Sequence, residues 1–151
     1  MKLTLTTLLT LALSATGGMA EGEFTGTCDV TSIKVSGKYL TAKCKNILGA
    51  EKCTTLDLNN CLKNSYGQLQ ADPTAAGPHF TAKNQCVSCT NEQPKTGFVI
   101  GGGGATLLHC LCNPGTGAEQ ASWPTAYFDL NTVVENNNGV LACYKTKGTA
   151  C

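Results

Sequence analysis

An internal repeat constrains the fold of this chain more than any other feature of its 151 residues. The segment 56–69 aligns with 128–141 at an offset of 72 residues without a gap, and six of the fourteen positions are identical. Both copies contain Asp-Leu-Asn followed by an Asn-X-X-Gly turn. Because a repeated unit buries its apolar face against its neighbour, this duplication predicts two similar half-domains that pack on each other.

Each copy predicts a short helical turn, then a tight turn and the start of a strand. Asp57 and Asp129 are suited to N-cap the helical turn, and apolar residues follow at i, i+3 and i+4 spacing. Gly67 and Gly139 end the tight turns and are free to adopt positive φ. A catalytic pair of Asp57 and Asp129 is the alternative, but capping at identical repeat positions explains both residues better.

Elsewhere the pattern is that of β-strands. Alternating residues at 30–35 and 39–44 predict one hairpin, and a second, looser hairpin is predicted around Gly101–Gly104. Residues 73–78 are typical of a linker between the two halves. No helical period extends beyond two turns, so the sequence predicts an all-β fold.

Ten cysteines follow a segment that has the features of a secretory signal peptide. Residues 1–20 combine Lys2, an apolar stretch and small residues near the end. This stretch is too short and too rich in Thr to span a bilayer. Its removal would leave residues 21–151, one domain's length. An even number of cysteines then predicts a disulfide framework in a secreted, extracellular protein. The cysteines are Cys28, Cys44, Cys53, Cys61, Cys86, Cys89, Cys110, Cys112, Cys143 and Cys151.

Metal and redox chemistry are weaker interpretations of the same residues. His109 lies next to Cys110 and Cys112 in a pattern compatible with zinc, but cysteines in an oxidising compartment pair with each other. Cys86-X-X-Cys89 lacks the βαβ context of a redox motif, so a structural bridge is favoured. We therefore expect no metal and no cofactor.

The charge balance also restricts the partners. After removal of residues 1–20, ten lysines face ten acidic residues, and there is no Arg. Nucleic-acid binding depends on a basic face and on Arg side chains, so it is not expected. The same balance disfavours an anionic membrane surface, and no later segment is apolar enough to span a membrane. Neutral, hydroxyl-bearing ligands remain.

The order, spacing and duplication of these motifs resemble the cyanovirin-N homology (CVNH) domain. The similarity covers about residues 27–144 of a single domain, with repeat one at about 27–80 and repeat two at about 81–144. It implies a pseudo-symmetric two-repeat β fold with short helical turns. It also implies a lectin that binds mannose-rich glycans at one site per half, without catalysis. The extra cysteines of this chain resemble those of CVNH domains in secreted fungal proteins.

Two further expectations concern function and assembly. A secreted structural or effector protein that kept the fold and lost sugar binding is the alternative to a lectin. A small enzyme is disfavoured, because the sequence contains no nucleophile-base or acid-base constellation. The chain is expected to be a monomer or a domain-swapped dimer.

The resemblance implies which cysteines pair within each half. Cys28 would pair with Cys44, and Cys112 with Cys86 or Cys89. Two parallel bridges between the Cys-X-X-Cys and Cys-X-Cys segments agree with strand alternation, because residues i and i+2 lie on one face. Proximity in the sequence suggests the remaining pairs, which are Cys53 with Cys61 and Cys143 with Cys151.

The resemblance also implies two sugar sites, each built from both repeats. The first site uses Thr27, Lys45, Asn46, Asn136, Asn137 and Asn138. The second site uses Lys63, Asn64, Tyr66, Asn113 and Thr116, with the segment near His79. Asn suits sugar hydroxyls because one planar amide offers both donors and acceptors, although an Asn-rich stretch before Gly is also typical of a plain turn. The acidic residues that the family often places at Lys63 and Tyr66 are absent, and Tyr66 would instead offer a stacking face to a pyranose ring.

Overall fold

The computed structural model describes residues 24–92, 105–115 and 117–151. The predicted signal peptide, the predicted Gly101–Gly104 hairpin tip and Thr116 lie outside these residues. Across the described ranges, no helix is long and apolar enough to cross a membrane. The strands are β1 (Lys34–Ser36), β2 (Tyr39–Lys45), β3 (Glu51–Asp57), β4 (Leu62–Ser65), β5 (Gln68–Ala71), β6 (Cys86–Asn91), β7 (Leu107–Cys112), β8 (Thr125–Asp129), β9 (Glu135–Asn137), β10 (Val140–Cys143), β11 (Thr146–Lys147) and β12 (Thr149–Ala150).

The strands form one large sheet and two small ones. The large sheet has the order β12-β3-β2-β1-β6-β7-β8, and the small sheets are β11-β10-β9 and β4-β5. Antiparallel β1 and β6 meet in the large sheet, with Ser36 opposite Thr90. Strands β1 to β5 are followed by β6 to β10 in the same arrangement, so an approximate dyad passes between β1 and β6. The predicted all-β, pseudo-symmetric two-repeat fold is confirmed.

The two Asp-Leu-Asn segments form equivalent 3-10 turns, Leu58–Asn60 and Leu130–Thr132. Asp57 has φ −80° and ψ 105°, and Asp129 has φ −81° and ψ 106°. Each carboxylate accepts a hydrogen bond from the amide two residues later, at 3.0 Å and 2.9 Å. The predicted N-capping is confirmed, and it satisfies an amide at the start of each turn.

The first predicted strand begins later than expected. Residues Val30–Ser32 form a 3-10 turn, and β1 starts at Lys34. Asp29 causes this difference, because its Oδ1 accepts from the Thr31 amide at 2.9 Å and from the Thr31 hydroxyl at 2.7 Å. A carboxylate that bonds the backbone two residues ahead competes with strand pairing.

One cluster of buried side chains, drawn from both halves, forms the core. Phe24 and Phe80 are fully buried at equivalent positions before Cys28 and Cys86. The threonine after each Phe is held by the Asp-Leu-Asn turn of the other half. Thr25 bonds Asn131 Oδ1, and Thr81 bonds Asn59 Oδ1. Each half therefore depends on the other for its packing.

All ten cysteines form disulfides, and two of the predicted pairs are wrong. The structure pairs Cys28 with Cys44, Cys86 with Cys112 and Cys89 with Cys110, within the halves. The guesses of Cys53 with Cys61 and Cys143 with Cys151 are contradicted, because Cys53 pairs with Cys151 and Cys61 with Cys143. The physical reason is that β10 packs across β3 and β12 pairs with β3, so residues distant in sequence are neighbours in space.

Candidate functional site

One asparagine in each half joins the segments that surround a cleft, and the two asparagines occupy equivalent positions of the repeat. Asn136 donates through Nδ2 to Thr27 Oγ1 at 2.9 Å and to the Lys45 carbonyl at 2.8 Å. Its Oδ1 accepts from the Gly139 amide at 2.7 Å. Thr27 precedes Cys28 and Lys45 follows Cys44, so the asparagine joins a hairpin of one half to the disulfide-linked strands of the other.

Asn64 makes the same bridge in the other half. It donates to the Asn113 carbonyl at 3.0 Å and to Gln85 Oε1 at 3.2 Å, and it accepts from the Gly67 amide at 2.9 Å. Gln85 precedes Cys86 as Thr27 precedes Cys28, and Asn113 follows Cys112 as Lys45 follows Cys44. The two clefts therefore have one architecture.

The hairpin beside each cleft is closed by a two-residue turn in which both residues have positive φ. Asn138 and Gly139 have φ 54° and 86°, and Tyr66 and Gly67 have φ 51° and 84°. Both turns match type I′, which requires positive φ at both central residues and twists the strands correctly for a hairpin. Gly139 is also tightly packed, since a Cβ there would lie 3.2 Å from the Cβ of Asn46.

The first cleft has a volume of about 310 Å³ and is polar and charged. The Asp29 carboxylate accepts hydrogen bonds from the hydroxyl and the amide of Thr31. These bonds, the one from the hydroxyl most of all, hold the pKa of Asp29 below its ordinary value. The lysine and the carboxylates provide donors and acceptors within the same space. The residues that line the cleft are Gly26, Thr27, Cys28, Asp29, Lys45 and Glu51.

Several residues predicted for the first site bond within the protein. Asn46 Oδ1 accepts from the amides of Leu48 at 3.0 Å and Ala50 at 2.9 Å, which closes the turn between β2 and β3. Asn138 Oδ1 accepts from the Ile47 amide at 2.9 Å. Together with the Asn136 bridge, these contacts bring the predicted residues Thr27, Lys45, Asn46, Asn136 and Asn138 together, and exposed Asn137 lies in the same hairpin.

The second cleft is larger, at about 410 Å³, and differs in chemistry. Among the described residues its lining contains no carboxylate, and the exposed ring of Tyr66 forms one wall. The predicted residues Lys63, Asn64, Tyr66 and Asn113 are brought together here, whereas Thr116 lies outside the described residues. The residues that line the cleft are Lys63, Asn64, Ser65, Tyr66, Gly77, Pro78, Asn84, Gln85, Asn113 and Gly115.

A buried carboxylate supports one wall of the second cleft. Asp72 is 3% exposed, and it accepts from the Thr74 hydroxyl at 2.9 Å and the Gly77 amide at 3.0 Å. Burial alone would raise the pKa of Asp72, but these hydrogen bonds and the charge of Lys63 outweigh it, so the pKa is lowered. Asp72 therefore holds the loop 72–78 as an anion.

Sequence reasoning missed several lining residues, and the repeat itself contained the signal for some of them. Gln85 stands before Cys86 as Thr27 stands before Cys28, so aligning the two bridged strands would have found it. Asp29 and Glu51 border the first cleft, yet neither belongs to a repeated motif. His79 pairs with Lys63 in an isolated bridge and its ring contacts the Asn59 carbonyl at 3.1 Å, so it supports the cleft from outside.

A family model for the CVNH domain matches residues 24–142. The chain belongs to the CVNH domain family. This match spans both clefts, the bridging asparagines and all three disulfides within the halves.

Solved structures support the CVNH fold. The chain is similar to the CVNH protein of Gibberella zeae, with a TM-score of 0.60 and 21% identity, over 80% of this chain and 96% of that one. It is also similar to a MoCVNH3 variant in complex with (N-GlcNAc)4, with a TM-score of 0.59 and 17% identity, over 83% of this chain and 99% of that one. The similarity to microvirin in complex with mannobiose has a TM-score of 0.53 and 22% identity, over 81% of this chain and 98% of that one. No curated protein matches the sequence.

Proposed function

We propose that this CVNH protein is a secreted lectin that recognises mannose-type glycans, has one saccharide-binding cleft in each half and catalyses no reaction. The observation that carries the proposal is the amide-bridged, disulfide-backed cleft that occurs once in each half. Rigid clefts suit weakly interacting neutral ligands, because little conformational entropy is lost when the ligand binds. The ten paired cysteines support an extracellular location.

The known complexes of similar proteins support a saccharide as the ligand. One structural neighbour was solved with (N-GlcNAc)4 and another with mannobiose. These sugars are uncharged and carry many hydroxyl groups. They agree with the near-neutral charge of this chain, which disfavours nucleic acids and anionic surfaces.

The first cleft offers the groups that a mannose unit needs. Asp29 and Glu51 would accept hydrogen bonds from sugar hydroxyls, and the amine of Lys45 would donate one. Hydrogen bonds to charged groups are stronger than those between neutral groups, so these side chains are expected to contribute most of the affinity. The bridging Asn136 is expected to act mainly by holding Thr27 and Lys45 in position.

Two clefts in one chain would make even a monomer bivalent. If each cleft takes one arm of a branched glycan, the combined affinity exceeds that of one site by about 10² to 10⁴. A bivalent lectin would also cross-link glycans on separate particles, which a protein with one site does not do.

The test is a glycan array probed with refolded protein of residues 21–151, followed by calorimetry with α1-2-linked mannobiose. Glu51→Gln keeps the size of the side chain and removes its charge, so we expect the mannobiose affinity to fall about tenfold. Glu119→Gln is the matched control, because Glu119 is exposed and makes no side-chain cap hydrogen bond.

Three outcomes separate the possibilities. Mannobiose binding that Glu51→Gln weakens and Glu119→Gln leaves intact supports the lectin. Binding that neither variant changes contradicts the role of the first cleft. Silence of the folded protein across the whole array removes the lectin function and favours a structural or effector protein.

A further inference from the structure

Tyr66 occupies a backbone position that suits a different residue. It has φ 51° at the first central position of a type I′ turn, and the equivalent residue of the other repeat is Asn138 at φ 54°. Asn tolerates this left-handed conformation, whereas a bulky side chain there is an outlier. Tyr66 is also 83% exposed, so burial of this residue does not compensate for the strained backbone. A residue held in this way is a candidate for function.

The protein supports the Tyr66 ring at the edge of the second cleft. Gly115 lies against the ring, and a Cβ at this glycine would be 3.2 Å from Tyr66 Cδ1. Gly115 itself has φ 78°, a conformation that also favours glycine. The Asn113 side chain closes this turn, since its Oδ1 accepts from the Gly115 amide at 2.8 Å. The ring is therefore supported from one side and free to contact a ligand.

The polar groups beside the ring are donors rather than anions. Lys63 contributes an amine to the lining, and Gln85 accepts from Asn64 through Oε1, which leaves its Nε2 group to donate. The first cleft instead carries Asp29 and Glu51. The two clefts share one architecture but differ in the chemical groups that they present to a ligand.

The stereochemistry of hexoses determines which sugars can stack on an aromatic ring. A β-linked gluco-configured pyranose has only equatorial substituents, so both faces present C–H groups. An α-linked mannose has an axial oxygen on each face, at C1 and at C2, and these oxygens interrupt the apolar surface. Aromatic stacking in the second cleft therefore favours the β-linked gluco configuration.

We propose that the second cleft is a subsite for β-linked gluco-configured oligosaccharides, with Tyr66 as the residue that determines this specificity. The inference rests on the proposed function, because it assigns a ligand class to one of the two sugar clefts. It makes the protein a lectin with two unequal sites, one rich in carboxylates and one with an aromatic wall.

The experiment titrates 15N-labelled protein with the β1-4-linked tetrasaccharide of GlcNAc and, separately, with α1-2-linked mannobiose. Tyr66→Asn introduces the residue of the other repeat and should lower the tetrasaccharide affinity about tenfold. Its denaturation midpoint should equal or exceed that of the wild type, because Asn suits the turn. Tyr66→Phe is the matched control and should keep the affinity within about twofold, since it retains the ring.

The result expected is a set of shifted amides around Tyr66 and Gly115 with the tetrasaccharide, and around Thr27 and Lys45 with mannobiose. The inference is overturned if Tyr66→Asn binds the tetrasaccharide as tightly as the wild type. It is also overturned, with the proposed function intact, if the wild type binds mannobiose and not the tetrasaccharide. Failure of the wild type to bind either sugar overturns both proposals together.

Discussion

The asparagine that bridges each cleft uses most of its hydrogen-bonding capacity inside the protein. Asn136 employs both donors and one acceptor position on Thr27, Lys45 and Gly139. Asn64 does the same in the other half. Asp has no N–H donor, so it could accept from the glycine amide but could not make the two donated bonds. The identity of this residue in both repeats thus has a structural explanation, independent of the ligand.

This role gives a prediction at the residue scale. Asn136→Ala removes three hydrogen bonds and should lower the free energy of unfolding by about 1–2 kcal/mol. Asn137→Ala is the matched control, because Asn137 is exposed in the same hairpin, and it should change stability by less than about 0.5 kcal/mol. Urea unfolding of both variants measures the difference. Equal stability of the two would show that the Asn136 bridge contributes nothing.

At this scale the sequence singled out residues that the fold places side by side, but it did not distinguish what each of them does. The predicted Asn136–Asn138 run does lie beside the first cleft, yet two of its three amides bond to Thr27, Lys45 and Ile47. The pattern could not distinguish a ligand contact from an internal bridge, because the partners are 91 to 109 residues away in the sequence.

At the scale of elements, the two disulfides between β6 and β7 require a β-bulge. The cysteine spacing implied this bulge but did not show where it lies. Cys86 and Cys89 are three residues apart, whereas Cys110 and Cys112 are two apart, so one strand needs an extra residue. The register shifts between Val87 and Thr90, and Ser88 has φ 53°. A bulge absorbs the extra residue and turns both cysteines to one face.

The loop 72–78 gives a prediction about acid. The pKa of Asp72 is lowered in the folded protein, so the unfolded chain takes up this proton first as the pH falls. The stabilisation that the Asp72 anion provides is therefore complete at pH values above the ordinary pKa of Asp, near 4. It is lost as the pH falls through the lowered pKa of Asp72 in the folded protein. At neutral pH, Asp72→Asn should be less stable than the wild type by about 1 kcal/mol.

The measurement is the denaturation midpoint of both proteins from neutral pH to about pH 2, the range in which carboxylates titrate. The difference in denaturation midpoint between the wild type and Asp72→Asn should disappear as the pH falls, because protonated Asp72 carries no charge, like the amide of Asn. Asp29→Asn is a useful comparison, since the pKa of Asp29 is lowered as well but its carboxylate caps a turn beside the first cleft. A difference that stays constant with pH would contradict the role of the Asp72 anion.

At the scale of the whole molecule, the duplication predicted the dyad but not how the halves cross. Two copies of Asp-Leu-Asn were sufficient to predict equivalent surroundings, since each copy makes the same local cap. The two wrong disulfides came from assuming that neighbours in sequence are neighbours in space. The interlocking of Thr25 with Asn131 and of Thr81 with Asn59 depends on contacts between halves, which local patterns do not encode.

The two disulfides that join distant parts of the chain should act cooperatively. Cys61–Cys143 spans 82 residues and Cys53–Cys151 spans 98, but each bridge shortens the loop that the other closes. Cys53 and Cys61 are only eight positions apart in the sequence, as are Cys143 and Cys151. With one bridge in place, the other closes a loop of about 16 residues, worth about 3 kcal/mol in the chain-entropy account.

Removing both bridges should therefore cost more than the sum of the separate removals. The second removal opens the full loop, worth about 4.5 kcal/mol, so the excess is about 1.5 kcal/mol. Guanidinium unfolding of Cys53→Ala/Cys151→Ala, Cys61→Ala/Cys143→Ala and the quadruple variant measures it. Since Cys61 and Cys143 are fully buried, their removal also leaves a cavity, but this term enters both sides of the comparison and cancels. Strict additivity would mean that the two bridges constrain the unfolded chain independently, which their nested positions in the sequence do not allow.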